Sequence, residues 1–211
     1  MKGILSLLKM KTRGDKPRDE HTDSVLFSTA FAGQGVDDSM LVPWEARAVE
    51  VGAKRLPTSR GGKLLQGLWA KDKYMAHLDK DAVERMERFF EFAAVPSNRD
   101  VIRQDEYGNF MVVLLTGTIA VDRVQPWGEQ LRLAETRPGD ILGEMSLLDS
   151  GIRFSACTTL TDCEIAVLSA DAMDDMMTKD PQLAASLVAL LARKLSLRLR
   201  VVSARLSDNQ K

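Results

Sequence analysis

The sequence predicts an α+β protein: a β jelly-roll barrel with an N-terminal helical extension and a long C-terminal helix. Three observations carry this. After Pro96 the apolar period becomes two, and short strands are broken by Gly, Pro and Asp turns at intervals of about ten residues, the pattern of a small barrel or jelly roll. On either side the period is helical. The length, 211 residues, holds one core plus an extension about half its size, at roughly 150 residues per domain.

Residues 1–40 read as a flexible tail. Met1–Lys11 has a short apolar stretch at Ile4–Leu8, too short for a secretory signal and without a small-residue cleavage site. Thr12–Asp38 is polar apart from Val25-Leu26-Phe27, with too little apolar surface to offset ordering entropy. Residues 41–77 form the helical extension, with helices expected at Glu45–Lys54 and Lys63–His77 around the turn cluster Pro57–Gly62. The main domain, 78–211, opens with a helix over Leu78–Phe92, Asp79 its N-cap. Strands follow at 100–104, 110–115, 118–124, 130–136, 158–160 and 165–168. A short helix at 170–178 leads to the strongest periodic signal, from Gln182 to Ser207. There Leu183, Leu187, Leu191, Leu195, Leu199, Val202 and Leu206 make a stripe longer than one barrel covers, so a homodimer through residues 182–207 is expected.

Composition narrows function. Lys+Arg at 29 against Asp+Glu at 30 gives a net charge of −1, without the basic surplus usual in a dedicated nucleic-acid binder. No apolar run reaches the roughly 20 residues of a bilayer span. Cys157 and Cys163 are too few for a disulfide framework and read as buried thiols of a cytoplasmic chain. The two histidines, His21 and His77, lie outside the strand region, so neither a clustered metal site nor a serine nucleophile with its base can be assembled there. Asp174-Asp175 reads as a solvated helix face. These points favour a binding protein that is not an enzyme and carries no metal or cofactor.

One segment of the strand region is not strand-like: Arg137 to Ala156. Gly143 permits a close approach or a conformation closed to other residues. Glu144–Leu148 is long enough for one helical turn, whose free N–H groups suit an anion. Arg153 can fold back to the same point, and Glu144 can accept from a hydroxyl. An arginine, free amides and a carboxylate together suit a phosphate attached to a sugar.

Gly143-Glu144-Met145-Ser146-Leu147-Leu148, followed by Arg153 and Ser155-Ala156, resembles the phosphate-binding cassette of the cyclic nucleotide-binding domain. Catabolite activator proteins, kinase regulatory subunits and nucleotide-gated channels share that domain. The Asp105–Asn109 turn, Leu115–Val121, Arg137–Asp140 and the closing helix pair recur in the same order, over residues 78–207, about 60% of the chain. The resemblance implies an eight-stranded jelly roll that receives cAMP or cGMP and regulates a protein partner. Glu144 would hold the ribose 2′-hydroxyl and Arg153 the cyclic phosphate, with Leu142, Gly143, Met145, Ser146, Phe154 and Ser155 around them.

Three departures qualify this. The family's Arg-Ser/Thr-Ala reads here Arg153-Phe154-Ser155-Ala156. With Arg153 in register, Phe154 replaces a phosphate-binding hydroxyl, a loss of about 1.5–3 kcal/mol; with Ser155-Ala156 in register, Phe154 replaces the arginine. The first is preferred, since the arginine has no other evident reason to be there. The activators' winged helix-turn-helix does not follow the long helix, so DNA readout by that device is not expected. The helix positions that meet the base carry Leu197–Arg200, where Arg198 is placed to stack on a purine or bond a guanine edge. The alternative is a dimeric interaction module of the same fold that binds no ligand, with Phe154 filling the phosphate pocket, or that binds a cyclic dinucleotide.

Overall fold

A computed structural model describes residues 27–76 and 78–208; Met1–Lys11, His21, His77 and the Leu206 side chain lie outside the described residues. Two antiparallel sheets form the centre. The five-stranded sheet runs β1 (Lys54–Arg55), β2 (Glu91–Val95), β9 (Cys163–Ser169), β4 (Phe110–Thr116), β7 (Ile141–Leu142); the four-stranded one runs β3 (Asp100–Ile102), β8 (Ala156–Thr159), β5 (Ile119–Val124), β6 (Gln130–Glu135). This is the expected α+β jelly-roll arrangement.

Strand β4 shows why its sequence is a dense apolar run rather than an alternation. Phe110, Val112 and Leu114 face the inter-sheet core with Ile102, Leu142, Ile165 and Val167. Met111, Val113 and Leu115 face a second core built with the helices, including Met173, Leu187 and Leu190. A strand covered on both faces has no polar side to show. Strand β6 is the opposite case: among the described residues it pairs only with β5, and all six of its residues are exposed, Leu131 and Leu133 included. Its alternation is real, but no layer covers the apolar face.

Several boundaries moved. The helix expected over 78–92 is α4, Lys80–Glu87, with Asp79 accepting from the Ala82 N–H as anticipated. Residues 88–90 turn the chain, and the last two residues expected in the helix, Glu91 and Phe92, open strand β2, which pairs with β9 through Val95. The extension contains α2 (Trp44–Glu50) and α3 (Thr58–Trp69); α3 begins and ends earlier than read, closing with Trp69 edge-on to Phe90 at 5.7 Å.

The reading of 12–38 as flexible fails at its end, where Phe27–Gly33 forms helix α1 with Phe31 fully buried. The reason lies about 146 residues away. Asp174, on α6 (Ala170–Lys179), accepts from Phe27 N–H at 2.6 Å, Ser28 N–H at 2.9 Å and Ser28 Oγ at 2.7 Å. Asp174 is therefore a buried cap for another helix, not part of a solvated face.

The last helix, α7 (Pro181–Asp208), divides in two. Leu183, Ala184, Leu187, Leu190 and Leu191 are buried against their own domain, whereas Leu197, Leu199, Val201 and Val202 are exposed. Both cysteines are free and buried.

Asp174→Ala removes the shared acceptor of three donors. The expected result is faster amide exchange across residues 28–33 and a loss of about 1–2 kcal/mol in denaturant unfolding, the usual cost of a lost cap. Unchanged exchange there would show that Phe31 alone holds α1.

Candidate functional site

The site is built where β7 ends. Gly143 turns the chain at φ +75°, a left-handed conformation, and α5 (Glu144–Asp149) begins at once. A Cβ on Gly143 would also stand 2.6 Å from Arg153 Nη1 and 3.2 Å from the Phe110 carbonyl, so space and backbone both require glycine. Helix α5 closes at Ser150, again left-handed at φ +56°. Two backbone bonds then clip the chain to the Asp105–Asn109 turn: Arg153 N–H donates to Glu106 O at 2.8 Å, and Asp105 N–H to Arg153 O at 2.9 Å.

Arg153 points inward, 3% exposed, and Phe154 outward, 50% exposed. The Arg153 guanidinium donates to Gly143 O at 2.8 Å and Phe110 O at 2.7 Å and lies 4.7 Å from the Phe110 ring centroid. Gly108 gives it room, since a Cβ there would come within 2.6 Å of Nη2. Phe154 fills no pocket; its ring stacks under Arg123 at 3.9 Å, and its carbonyl accepts from Arg123.

Electrostatically, Arg153 is a buried cation held by neutral partners. Burial pulls its pKa down to about 10, so it stays charged at neutral pH. Among the described residues no carboxylate lies within ion-pairing distance of it. Cys157 lies nearby, but burial pushes that thiol up to about 12, leaving it neutral. A buried charge without a counter-ion is worth several kcal/mol of destabilisation.

Glu144, 3% exposed, follows Gly143 directly and is not free. Arg198 of α7 forms an ion pair with its Oε1 and donates to Ile141 O at 2.7 Å. One turn earlier, Lys194 pairs with Asp72 at 3.4 Å and donates to Gly139 O at 3.5 Å. Burial raises the Glu144 pKa, opposed by the charges of Arg198, Arg153 and Lys194. Among the described residues, no three His, Cys, Asp or Glu side chains gather as a metal would need.

The structure thus brings Gly143, Glu144, Arg153 and Arg198 together. Leu142 is buried in the inter-sheet core, Ser146 is buried in α5, Ser155 is half-buried beside Cys157, and Met145 is exposed. Sequence reasoning missed Gly108 and Phe110, which bed the guanidinium. A lone glycine in a polar turn was the available signal for the first. It also missed Arg47 and Glu106, whose pairing across 59 positions leaves no local trace.

Residues 93–180 match the family model of the cyclic nucleotide-binding domain. This stretch of the chain belongs to that family. The cyclic nucleotide-binding domain here is 30% identical over 107 residues to the cyclic AMP receptor protein of Thermus thermophilus, covering 51% of this chain and 50% of that protein. It is 29% identical over 100 residues to a CRP-like cAMP-activated global transcriptional regulator of Mycobacterium tuberculosis, covering 47% and 45%. The chain thus matches about half the length of these relatives. A cyclic nucleotide-binding domain from Methylobacillus flagellatus shares the fold at a TM-score of 0.67 and 23% identity, over 72% of this chain and 86% of that one. The catabolite activator protein of Thermus thermophilus aligns at 0.54 and 27%, over 63% of each.

The raised Glu144 pKa has a defined signature. The folded state holds this proton more tightly than the unfolded chain, whose value is near the ordinary 4.5. Its contribution to stability is therefore greatest below that pH and declines as pH rises through the folded value. Arg198→Ala removes the main opposing charge, so the decline should extend to higher pH, and Glu144→Gln should abolish it. Urea unfolding from about pH 4 to 8 checks this; identical pH profiles for wild type and Glu144→Gln would refute it.

Proposed function

We propose that this chain is a cyclic nucleotide receptor: a cytoplasmic, non-enzymatic regulator that takes cAMP or cGMP at the cassette and passes the event to a protein partner. The buried, unpaired Arg153 carries the reading. The neighbouring carboxylates Glu50 and Glu106 are taken up by ion pairs with Arg47 and Arg103, and Glu144 by Arg198. Arg153 has no ion pair among the described residues and donates only to carbonyls. A cyclic monophosphate is a diester with one negative charge, and its ribose carries the hydroxyl that a neighbouring carboxylate accepts.

In this reading the phosphate docks on Arg153, and the 2′-hydroxyl takes the Glu144 oxygen now held by Arg198. That exchange frees Arg198 for the base edge and loosens the hold of α7 on the cassette. The shift is bounded by the ligand's differential affinity for the two helix positions. The exposed Leu197, Leu199, Val201 and Val202 supply the surface on which a second copy would pack, so ligand and assembly act through one helix. The named functions of the Mycobacterium and Thermus relatives, cAMP-activated regulation and cyclic AMP reception, support this reading. Among the described residues no helix is long and apolar enough to cross a membrane.

Titration calorimetry with cAMP, cGMP and cyclic di-GMP on the whole chain tests the proposal. Micromolar or tighter binding of cAMP or cGMP is expected, lost in Arg153→Ala and in Glu144→Gln. Exchange in residues 182–207 should change on ligand addition. No heat with any of the three nucleotides would sink the reading, and cyclic di-GMP alone would replace it.

A further inference from the structure

Helix α2 lies outside the stretch matched by the domain family, yet it reaches the arginine side of the site. Arg47 is 1% exposed, one of the most buried large side chains described. It forms ion pairs with Glu106, on the turn clipped to Arg153, and with Glu50 at 2.6 Å; Arg103 in turn pairs with Glu50 and reaches Glu106 at 3.8 Å. Trp44, one turn earlier, meets the Phe110 ring edge-on at 5.6 Å, and Val42 N–H donates to Tyr107 O at 2.9 Å. The extension is thus fastened to the turn that holds Arg153.

The fastening leaves one defect. Among the described residues, two buried side-chain polar atoms have no hydrogen-bond partner, Asn109 Oδ1 and Arg47 Nε. Arg47 lines the same narrow cleft as Arg153, together with Arg103, Gly108, Phe110 and the Glu106 carboxylate that an entering anion would have to displace from Arg47. An orphaned buried donor is costly, and two buried cations beside one cleft repel; the Arg47 charge opposes protonation of Arg153. An anion between them satisfies the donor and turns the repulsion into attraction. The cleft is closed as it stands, and parting the two guanidinium groups to admit an anion is a motion their repulsion favours.

We propose that Arg47 is a second phosphate-binding arginine, so that the N-terminal extension completes the nucleotide site and is bridged to the domain by the nucleotide's phosphate when it sits between Arg47 and Arg153. This rests on the cyclic nucleotide reading above. It makes the extension a reporter of occupancy in its own right, apart from α7.

The test measures cAMP and cGMP affinity of the whole chain and amide exchange of residues 44–50 with and without nucleotide. Arg47→Gln should weaken binding on the order of tenfold, the loss of one charged hydrogen bond, and abolish the ligand-dependent slowing of exchange expected in the wild type. Glu106→Gln removes the carboxylate that now neutralises Arg47 while leaving the arginine in place, so it should bind as tightly as wild type or more tightly. If Arg47 were only a strut working through Glu106, both variants would weaken binding alike, and that result overturns the proposal. So does Arg47→Gln binding like wild type. If Arg47→Gln fails to fold, Glu106→Gln decides alone: weaker binding overturns, equal or tighter binding supports. A wild type that binds neither nucleotide overturns the receptor reading and this one together; a wild type that binds, with the variants behaving as a strut predicts, overturns this one alone.

Discussion

The Arg153 guanidinium, seated on the carbonyls of Gly143 and Phe110, is the contact around which the rest of the molecule is arranged. It needs a left-handed glycine at 143, a side-chain-free position at 108, and a strand β4 whose Phe110 supplies both a carbonyl and a ring face. The two backbone bonds between residue 153 and the 105–106 turn then fix which neighbour points inward. A buried cation supported only by dipoles costs stability, and that cost is the ground on which the proposed binding role of Arg153 rests.

Three helices from outside the sheets converge on that centre. From one end of the chain, α7 lays Arg198 and Lys194 over the cassette; from the other, α1 and α2 reach it through Gln34, which donates to Asp149 O at 2.6 Å, and through Arg47. The family stretch between them carries the cassette, and the flanks hold charged groups that contact it. Charge pairs suit that role better than apolar packing, since one ionic partner can be exchanged for another without opening a cavity.

The sheets and the cassette were legible in the sequence because their signals are local: period-two runs, Gly and Pro turns, an apolar run too dense for one face, and a Gly-Glu pair followed nine residues later by an arginine. The sequence favoured Arg153 over Phe154 as the phosphate arginine only because an arginine there had no other evident reason; that Arg153 points inward and Phe154 outward depends on the clip to the 105–106 turn. What stayed illegible depends on pairings across long separations. The start of strand β2 was read as the end of a helix because Phe92 continues the helical spacing of Phe89 until β9 is alongside. Helix α1 looked like tail because its cap, Asp174, lies in another helix. Arg198 was read toward the base, whereas its present partner is Glu144, a contact that depends on the angle at which α7 returns over the domain.

Strand β6 has a consequence for the protein's behaviour at high concentration. Its outer backbone N–H and C=O groups face solvent, and Leu131 and Leu133 are only interrupted, not covered, by polar neighbours. Such a rim can template the addition of a foreign strand. Arg132, bound to Asp122 and, at 2.8 Å, to Glu135, sets fixed charge at its middle and end. Colloidal stability therefore depends on a few surface ions at one sheet margin, and high salt, by screening them, weakens the protection that keeps separate molecules from joining edge to edge.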